Sequence, residues 1–187
     1  MLEGWGVRLE PLRNDHAPAL LEAAGDGALW ELNYTSVPGP DVASVHDYIR
    51  IALAGQAAGA MLPFVVRARD CVVGCTRYYD IDADVPTLAI GYTWYASRVQ
   101  RTHVNSACKR LLLGHAFETL GVRTVYLHTS HQNLPSQAAI ERLGAHRDGV
   151  IRQHRKHKDG SLRDTVAYSI LDSEWPGIRA RLDARLM

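Results

Sequence analysis

The chain lacks the features typical of membrane, secreted and metal-binding proteins. Only three of its 187 residues are cysteines, and Cys71, Cys75 and Cys108 do not have metal-site spacing. We expect them to be reduced, small buried residues. The N-terminal segment shows no basic region followed by an apolar core. The longest uncharged run, residues 51–66, is interrupted by glycines and a proline and is shorter than the ~18 apolar residues of a membrane helix. We therefore expect a cytoplasmic protein that enters no membrane.

Strong charge and internal repeats are absent as well. The formal net charge is +1, which argues against a general nucleic-acid binder, because such proteins carry a strongly basic face. The three aspartates of residues 80–84 lack the glycine and the final glutamate of a calcium loop, so we expect no metal there. Length and composition suit one soluble globular domain, residues 1–187.

The pattern of apolar and polar residues predicts a mixed α/β fold. Strand patterns occur at residues 7–12, 62–68, 72–79, 87–95, 122–129, 145–154 and 161–171. Helical patterns occur at residues 17–24, 41–53, 104–117, 133–143 and 172–186. The predicted order is β-α-α-β-β-β-α-β-α-β-β-α, in which helices pack on a sheet in layers.

The segment 87–120 is the centre of the prediction. A β-rich run, Thr87–Tyr95, leads into a short cationic loop and then into a helical pattern that starts at Val104. Free backbone N–H groups and the positive end of a helix dipole would meet there. Such a point suits a phosphate or pyrophosphate. The surrounding cations are Arg98, Arg101, Lys109 and Arg110.

Three segments resemble the GCN5-related N-acetyltransferase superfamily, and most closely its ribosomal-protein N-acetyltransferase-like branch. Residues 90–94 (IGYTW) resemble the central strand, residues 100–106 (QRTHVNS) the pyrophosphate loop, and residues 133–145 (NLPSQAAIERLGA) the late helix. The likeness runs from residue 7 to residue 171. It implies an α/β fold with a strongly twisted mixed sheet, helices on both faces and a V-shaped splay between the central strands.

The resemblance also implies a site for acyl-CoA in that splay, with no metal. The cofactor-binding residues that it implies are Thr93, Trp94 and Tyr95 on the strand, Arg101, Thr102, His103, Val104, Asn105 and Ser106 in the loop, and Asn133 and Ser136 on the late helix. His103 and Asn105 stand where the family usually has glycines. Asn tolerates a positive φ better than most residues, so His103 is the larger departure.

The catalytic residues depart from the commonest family pattern. Many relatives have a tyrosine seven residues after the asparagine, as the acid that protonates the departing thiolate, but Ile140 stands there. Ser136 matches the serine that takes this role in the ribosomal branch. Relatives commonly have a glutamate two residues before the Gly-Tyr pair, as the base, but Ala89 stands there in this chain. His128 and Asp164 are the substitute candidates for the base. We interpret residues 154–157 (HRKH) as a solvated hairpin.

The implied function is direct transfer of an acyl group, most simply from acetyl-CoA, to an amine on a protein N-terminus or a small molecule. Two alternatives stay open. The missing glutamate and tyrosine permit a non-catalytic acyl-CoA-binding module, and the basic residues could hold the free carboxylate of succinyl-CoA. The family also suggests a homodimer, for which Trp175 and the last hairpin are a candidate surface.

Overall fold

The computed structural model describes all 187 residues, Met1–Met187. The strands are β1 (Leu2–Gly4), β2 (Val7–Pro11), β3 (Met61–Ala68), β4 (Cys71–Asp82), β5 (Thr87–Tyr95), β6 (Thr124–Ser130), β7 (His146–Lys156) and β8 (Leu162–Leu171). The helices are α1 (Ala17–Gly25), α2 (Val42–Ala57), α3 (Val104–Gly114), α4 (Leu134–Leu143) and α5 (Trp175–Leu186). The predicted order of elements is confirmed. Only β1 was not foreseen, because a strand of three residues is too short to show alternation.

All eight strands form one sheet in the order β1-β2-β3-β4-β5-β6-β8-β7. Neighbouring strands are antiparallel except β5 and β6, which are parallel. The parallel pair is possible because α3 crosses over between the two strands. The mixed sheet expected from the resemblance is therefore confirmed, with its single parallel pair at the centre.

Two apolar clusters lie on opposite faces of the sheet. The larger includes Leu112 of α3 and Ile178 of α5, and the smaller includes Leu20 of α1 and Ile49 of α2. In β3, Phe64 and Val66 belong to the first cluster and Val65 to the second, as the two-residue strand period requires. Helices therefore cover both faces of the sheet.

Residues at the helix ends are of the types that cap helices. The carboxylate of Asp41 accepts the backbone N–H of Ser44 (2.8 Å) and caps α2. Asn133 caps α4 in the same way, through the N–H of Ser136 (3.1 Å). Gly144 follows α4 with φ 93°, the left-handed conformation that favours glycine after a helix.

Two expectations about buried residues were wrong. Trp175 is buried, stacks on Phe117 and donates its Nε1–H to Glu118 (2.8 Å), so it offers no surface to a second subunit. Cys71 is exposed, whereas Cys75 and Cys108 are buried as expected. No helix combines the length and the apolar character that crossing a membrane requires.

Candidate active site

The central strands β5 and β6 pair only at their first residues. Their register joins Thr87–Ala89 to Thr124–Tyr126 and then stops, although β5 continues to Tyr95 and β6 to Ser130. The expected V-shaped splay is confirmed. Because no strand fills it, backbone N–H and C=O groups at the facing edges are left without strand partners. A cavity of about 1000 Å³ occupies this gap.

A β-bulge in β5 shapes the wall of the gap. Gly91 stands opposite Arg77, but Trp94 stands opposite Cys75, so β5 has an extra residue here. Tyr92 has φ 51°. Because of the bulge, the side chains after it point to the opposite faces of the sheet from those that strict alternation would give. The ring of Tyr92 faces the cavity at 5.2 Å from the ring of Tyr79.

The loop before α3 presents an array of free donors. The backbone N–H groups of Arg101, Thr102, His103, Asn105 and Ser106 have no hydrogen-bond partner within the protein. They lie at the N-terminal end of an eleven-residue helix, where the helix dipole also favours an anion. The predicted donor array is therefore present around the start of α3.

In this loop the positive φ falls on Arg101 and not on His103 or Asn105. Arg101 has φ 60°, whereas His103 has φ −69° and Asn105 lies within the helix. The two positions where the family usually has glycine thus need no left-handed conformation in this chain. This explains how a histidine is accommodated at the first of them.

The buried ammonium of Lys109 adds positive charge to the gap. Its side chain lines the cavity, and its Nζ donates one long hydrogen bond to the Thr93 hydroxyl (3.4 Å). Burial lowers the pKa of Lys109 to about 8. Arg101 also lines the cavity, but Arg98 and Arg110 do not; they pair with carboxylates at 2.9 Å and 2.7 Å instead.

Several predicted cofactor-binding side chains point away from the gap. Trp94 and Val104 are buried in the two apolar clusters, and Tyr95 packs against the larger one. The ring of His103 lies 3.1 Å from the carbonyl oxygen of Trp5. These side chains are therefore not available to a ligand in the gap, and neither is the backbone N–H of Val104, which donates to the Thr102 hydroxyl (3.3 Å).

On the opposite wall, α4 brings Asn133 and Ser136 to the cavity. The side-chain oxygen of Asn133 is used in capping, which leaves its amide N–H groups without a protein partner. The Ser136 hydroxyl has no hydrogen-bond partner and lies in the first turn of α4, at the positive end of the dipole. Ile140 lies one turn further on and is buried, with no polar group to offer.

His128 and Asp164, the two candidate bases, occupy different places. His128 lines the cavity, and its Nδ1 lies 3.2 Å from the Tyr79 hydroxyl, so Nε2 has no protein partner. Burial lowers the pKa of His128, and the nearby Arg155 and Arg163 lower it further, against the opposing effect of Asp80. A neutral imidazole can accept a proton. The Asp164 carboxylate does not line the cavity; it accepts the backbone N–H of Gln153 (2.8 Å).

The hairpin of residues 154–157 is more than a solvated loop. Arg155, Lys156 and His157 line the cavity, and the buried His157 lies between the hydroxyls of Ser130 (3.0 Å) and Ser161 (3.1 Å). The expectation of a solvated hairpin was therefore wrong for His157, whereas His154, Arg155 and Lys156 are exposed as expected. Sequence alternation could not show which of these residues face the cavity, because β7 contains a bulge before Arg155.

Comparison with known families decides what kind of site this is. Residues 7–146 match the family model described as an acetyltransferase (GNAT) domain. The chain belongs to the GNAT family of acetyltransferases. The GNAT relatives include the uncharacterised N-acetyltransferase p20 of Bacillus licheniformis, 26% identical over 144 residues, or 75% of this chain and 79% of the relative. YdaF of Bacillus subtilis, described as a candidate ribosomal N-acetyltransferase, is 31% identical over 104 residues, 56% of each chain.

Solved GNAT structures agree over nearly the whole length. A candidate acetyltransferase from T. thermophilus is 34% identical, with a TM-score of 0.89 over 100% of this chain and 96% of its own. RimJ of Mycobacterium smegmatis, solved in complex with CoA-disulfide, is 23% identical with a TM-score of 0.82 over 96% of this chain and 88% of its own, which shows the fold alone. The predicted resemblance to the GNAT superfamily is confirmed.

Membership in the GNAT family identifies the chain as an acyl-CoA-dependent N-acetyltransferase. The alternative of a non-catalytic binding module is accordingly not retained. The loop that carries the free donors lines this cavity, and so do His128 and Ser136. No group of three or more His, Cys, Asp or Glu side chains is arranged to hold a metal ion.

Proposed function

We propose that this enzyme transfers an acetyl group directly from acetyl-CoA, bound between β5 and β6, to an amine. The observation that supports this most is the early end of β5–β6 pairing beside the free N–H groups of residues 101–106. The splayed strand edge suits the amide groups of pantetheine, which can pair with it as an added strand would. The loop donors, Arg101 and Lys109 suit the phosphates.

His128 and Ser136 are the proposed base and acid. The neutral His128 accepts the proton of the acceptor ammonium, directly or through water, and the free amine attacks the thioester carbon. Backbone N–H groups at the β5 edge stabilise the resulting oxyanion. The C–S bond then breaks, and the Ser136 hydroxyl donates its proton to the CoA thiolate and takes back, through water, the proton that the attacking nitrogen loses as the amide forms. Positioning of amine and thioester supplies much of the rate.

The acceptor is a protein N-terminal amine or a small-molecule amine. The relative YdaF is described as a candidate ribosomal N-acetyltransferase, whereas the acceptor part of the cavity here is walled by residues 33–37 and by the β7–β8 hairpin. One domain, a cytoplasmic location and a homodimer stay predictions.

Release of free CoA in single-turnover reactions tests the proposal, with an amine panel and the variant Ser136→Ala. We expect amine-dependent release, and a loss of turnover on the order of 10²-fold in Ser136→Ala, because a general acid acts in the transition state. Acetyl-CoA affinity should be nearly unchanged, and Ser136→Thr, which keeps a hydroxyl, should retain more activity. Full turnover by Ser136→Ala would remove Ser136 from the mechanism, and release that never depends on an amine would refute acetyl transfer.

A further inference from the structure

The cavity wall carries positive charge without a balancing carboxylate. Eight of its lining residues are Arg or Lys and none is Asp or Glu. Arg101 and Lys109 lie near the loop donors and are accounted for by the CoA phosphates. Four others come from one hairpin, formed by β7, its turn and β8: Arg155, Lys156, Lys158 and Arg163. This hairpin group needs a separate explanation.

Two arginines of this group face each other directly. Arg155 of β7 and Arg163 of β8 are register partners, an arrangement in which like charges destabilise a sheet. Neither forms an ion pair, and the Nε of Arg163 is buried without any hydrogen-bond partner. The adjacent Asp164 gives no relief, because neighbouring residues of a strand point to opposite faces and its carboxylate is bound to Gln153. Burial, followed by Arg155, lowers the pKa of Arg163, and no carboxylate raises it.

The pair lies beside the groups proposed to act on the acceptor. Both arginines are close enough to affect the pKa values of His128 and Tyr79, and Tyr92 in turn affects that of Arg163. An anion held by these arginines would therefore lie near His128. It would also relieve the repulsion between the two guanidinium groups.

Lys158 has a different part in the hairpin. Its ammonium donates to the carbonyl oxygens of Trp30 (3.0 Å) and Val37 (3.3 Å), and its backbone N–H contacts the carbonyl of Asn33. These bonds pin the loop that forms the other wall of this part of the cavity. This loop and the hairpin bound the cavity on two sides, and the space between them suits a small ligand.

We infer that the acceptor is a small amine that itself carries a carboxylate, and that Arg155 and Arg163 bind this carboxylate. The inference rests on the proposed function, since it concerns the acceptor of the same reaction. A planar carboxylate matches the paired donors of a guanidinium, and its amine would be held close to His128. The same chemistry could be supplied by the free carboxylate of succinyl-CoA, so the experiment must separate the two sources.

The test compares matched amines in the free-CoA assay with acetyl-CoA and with succinyl-CoA. The standard amino acids are compared with their carboxamides. The amine of a carboxamide is less basic, so more of it is unprotonated, and basicity alone would make the carboxamide the better substrate. We expect kcat/KM with acetyl-CoA to be at least tenfold higher for an amino acid than for its amide. Arg163→Met should lower it on the order of 10- to 100-fold for the amino acid, mainly through KM, and change it far less for the amide. Arg155→Met should act in the same direction, and the exposed Arg152→Met on the same strand is the matched control.

The outcomes separate the two proposals. Thermal stabilisation of each variant by acetyl-CoA shows that it is folded and that the loop site is intact. Equal use of amides, or of peptides with neutral N-terminal residues, would overturn the carboxylate inference and leave acetyl transfer standing. A preference for succinyl-CoA that Arg163→Met abolishes would assign the arginines to the acyl chain. That result would also overturn the inference about the acceptor's carboxylate. Absence of CoA release with every amine would refute the proposed function itself.

Discussion

At the scale of single residues, the sequence predicted the site only in part. Ser136 and Asn133 were identified from a local motif, and α4 places both at the cavity. His128 was one of two substitute bases, and the structure brings it to the gap and leaves Asp164 outside. The choice between them depends on the directions in which β6 and β8 present their side chains beside a bulge, which composition and spacing do not determine.

The role of His128 can be tested through its pKa. Burial and the two neighbouring arginines lower that pKa below the ordinary value of about 6.5, so the imidazole stays neutral, and able to accept a proton, at pH values where a free histidine is largely charged. Titration of the ring by NMR should give a value below that of a free histidine. Arg155→Met should raise the value, and Asp80→Asn should lower it.

Kinetics provide the functional counterpart of that titration. Because His128 takes the proton of the bound ammonium, log kcat/KM of the native enzyme should be level between the pKa of His128 and that of the amine, and should fall with a slope of one below the pKa of His128. In His128→Gln the amine must lose its proton to solvent first, so log kcat/KM should rise with a slope of one over the whole range below the pKa of the amine. The same slope in both proteins at every pH would exclude His128 as the base.

At the scale of elements, helices and strands were predicted well and irregularities were not. The order of elements follows from periodicity, and the caps Asp41 and Asn133 from residue type. The bulge at Tyr92 and the left-handed Arg101 were not predicted, because neither residue is a glycine or an asparagine that would signal positive φ. The bulge arises from the pairing of β5 with β4.

The start of α3 allows side chain and backbone to be tested separately. Asn105 is the second residue of this helix, and α1, α4 and α5 each carry a proline at their second residue, Pro18, Pro135 and Pro176. Asn105→Pro should therefore fold while losing one free N–H. We expect it to weaken acetyl-CoA binding by about 1.5–3 kcal/mol, the range for a hydrogen bond to a charged group.

Two companion variants give this measurement its control. Asn105→Ala keeps the backbone donor and should bind acetyl-CoA nearly as well as the native protein in calorimetry. Arg101→Ala should weaken binding at low salt and progressively less as salt is added, whereas the effect of Asn105→Pro should persist. Equal losses in Asn105→Ala and Asn105→Pro would show that the side chain, and not the backbone, holds the ligand.

At the scale of the whole molecule, the site results from how the sheet is joined. The crossover through α3 makes β5 and β6 parallel, and their pairing ends after three residues. The sequence supports this arrangement through its family resemblance. The acceptor part was not predictable in the same way, because it depends on the Arg155–Arg163 register and on bonds from Lys158 to Trp30, which is 128 residues away in the chain.

Amide hydrogen exchange followed by NMR, with and without saturating acetyl-CoA, tests the central claim most directly. The backbone N–H groups of residues 101, 102, 103, 105 and 106 have no protein partner, so they should exchange quickly in the free enzyme. Bound acetyl-CoA should protect them, together with amides of β5 beyond Ala89, and should leave the distant turn at Gly6 unchanged. If acetyl-CoA binds and these amides still exchange at their free rate, the ligand lies elsewhere, and the gap between β5 and β6 is not its site.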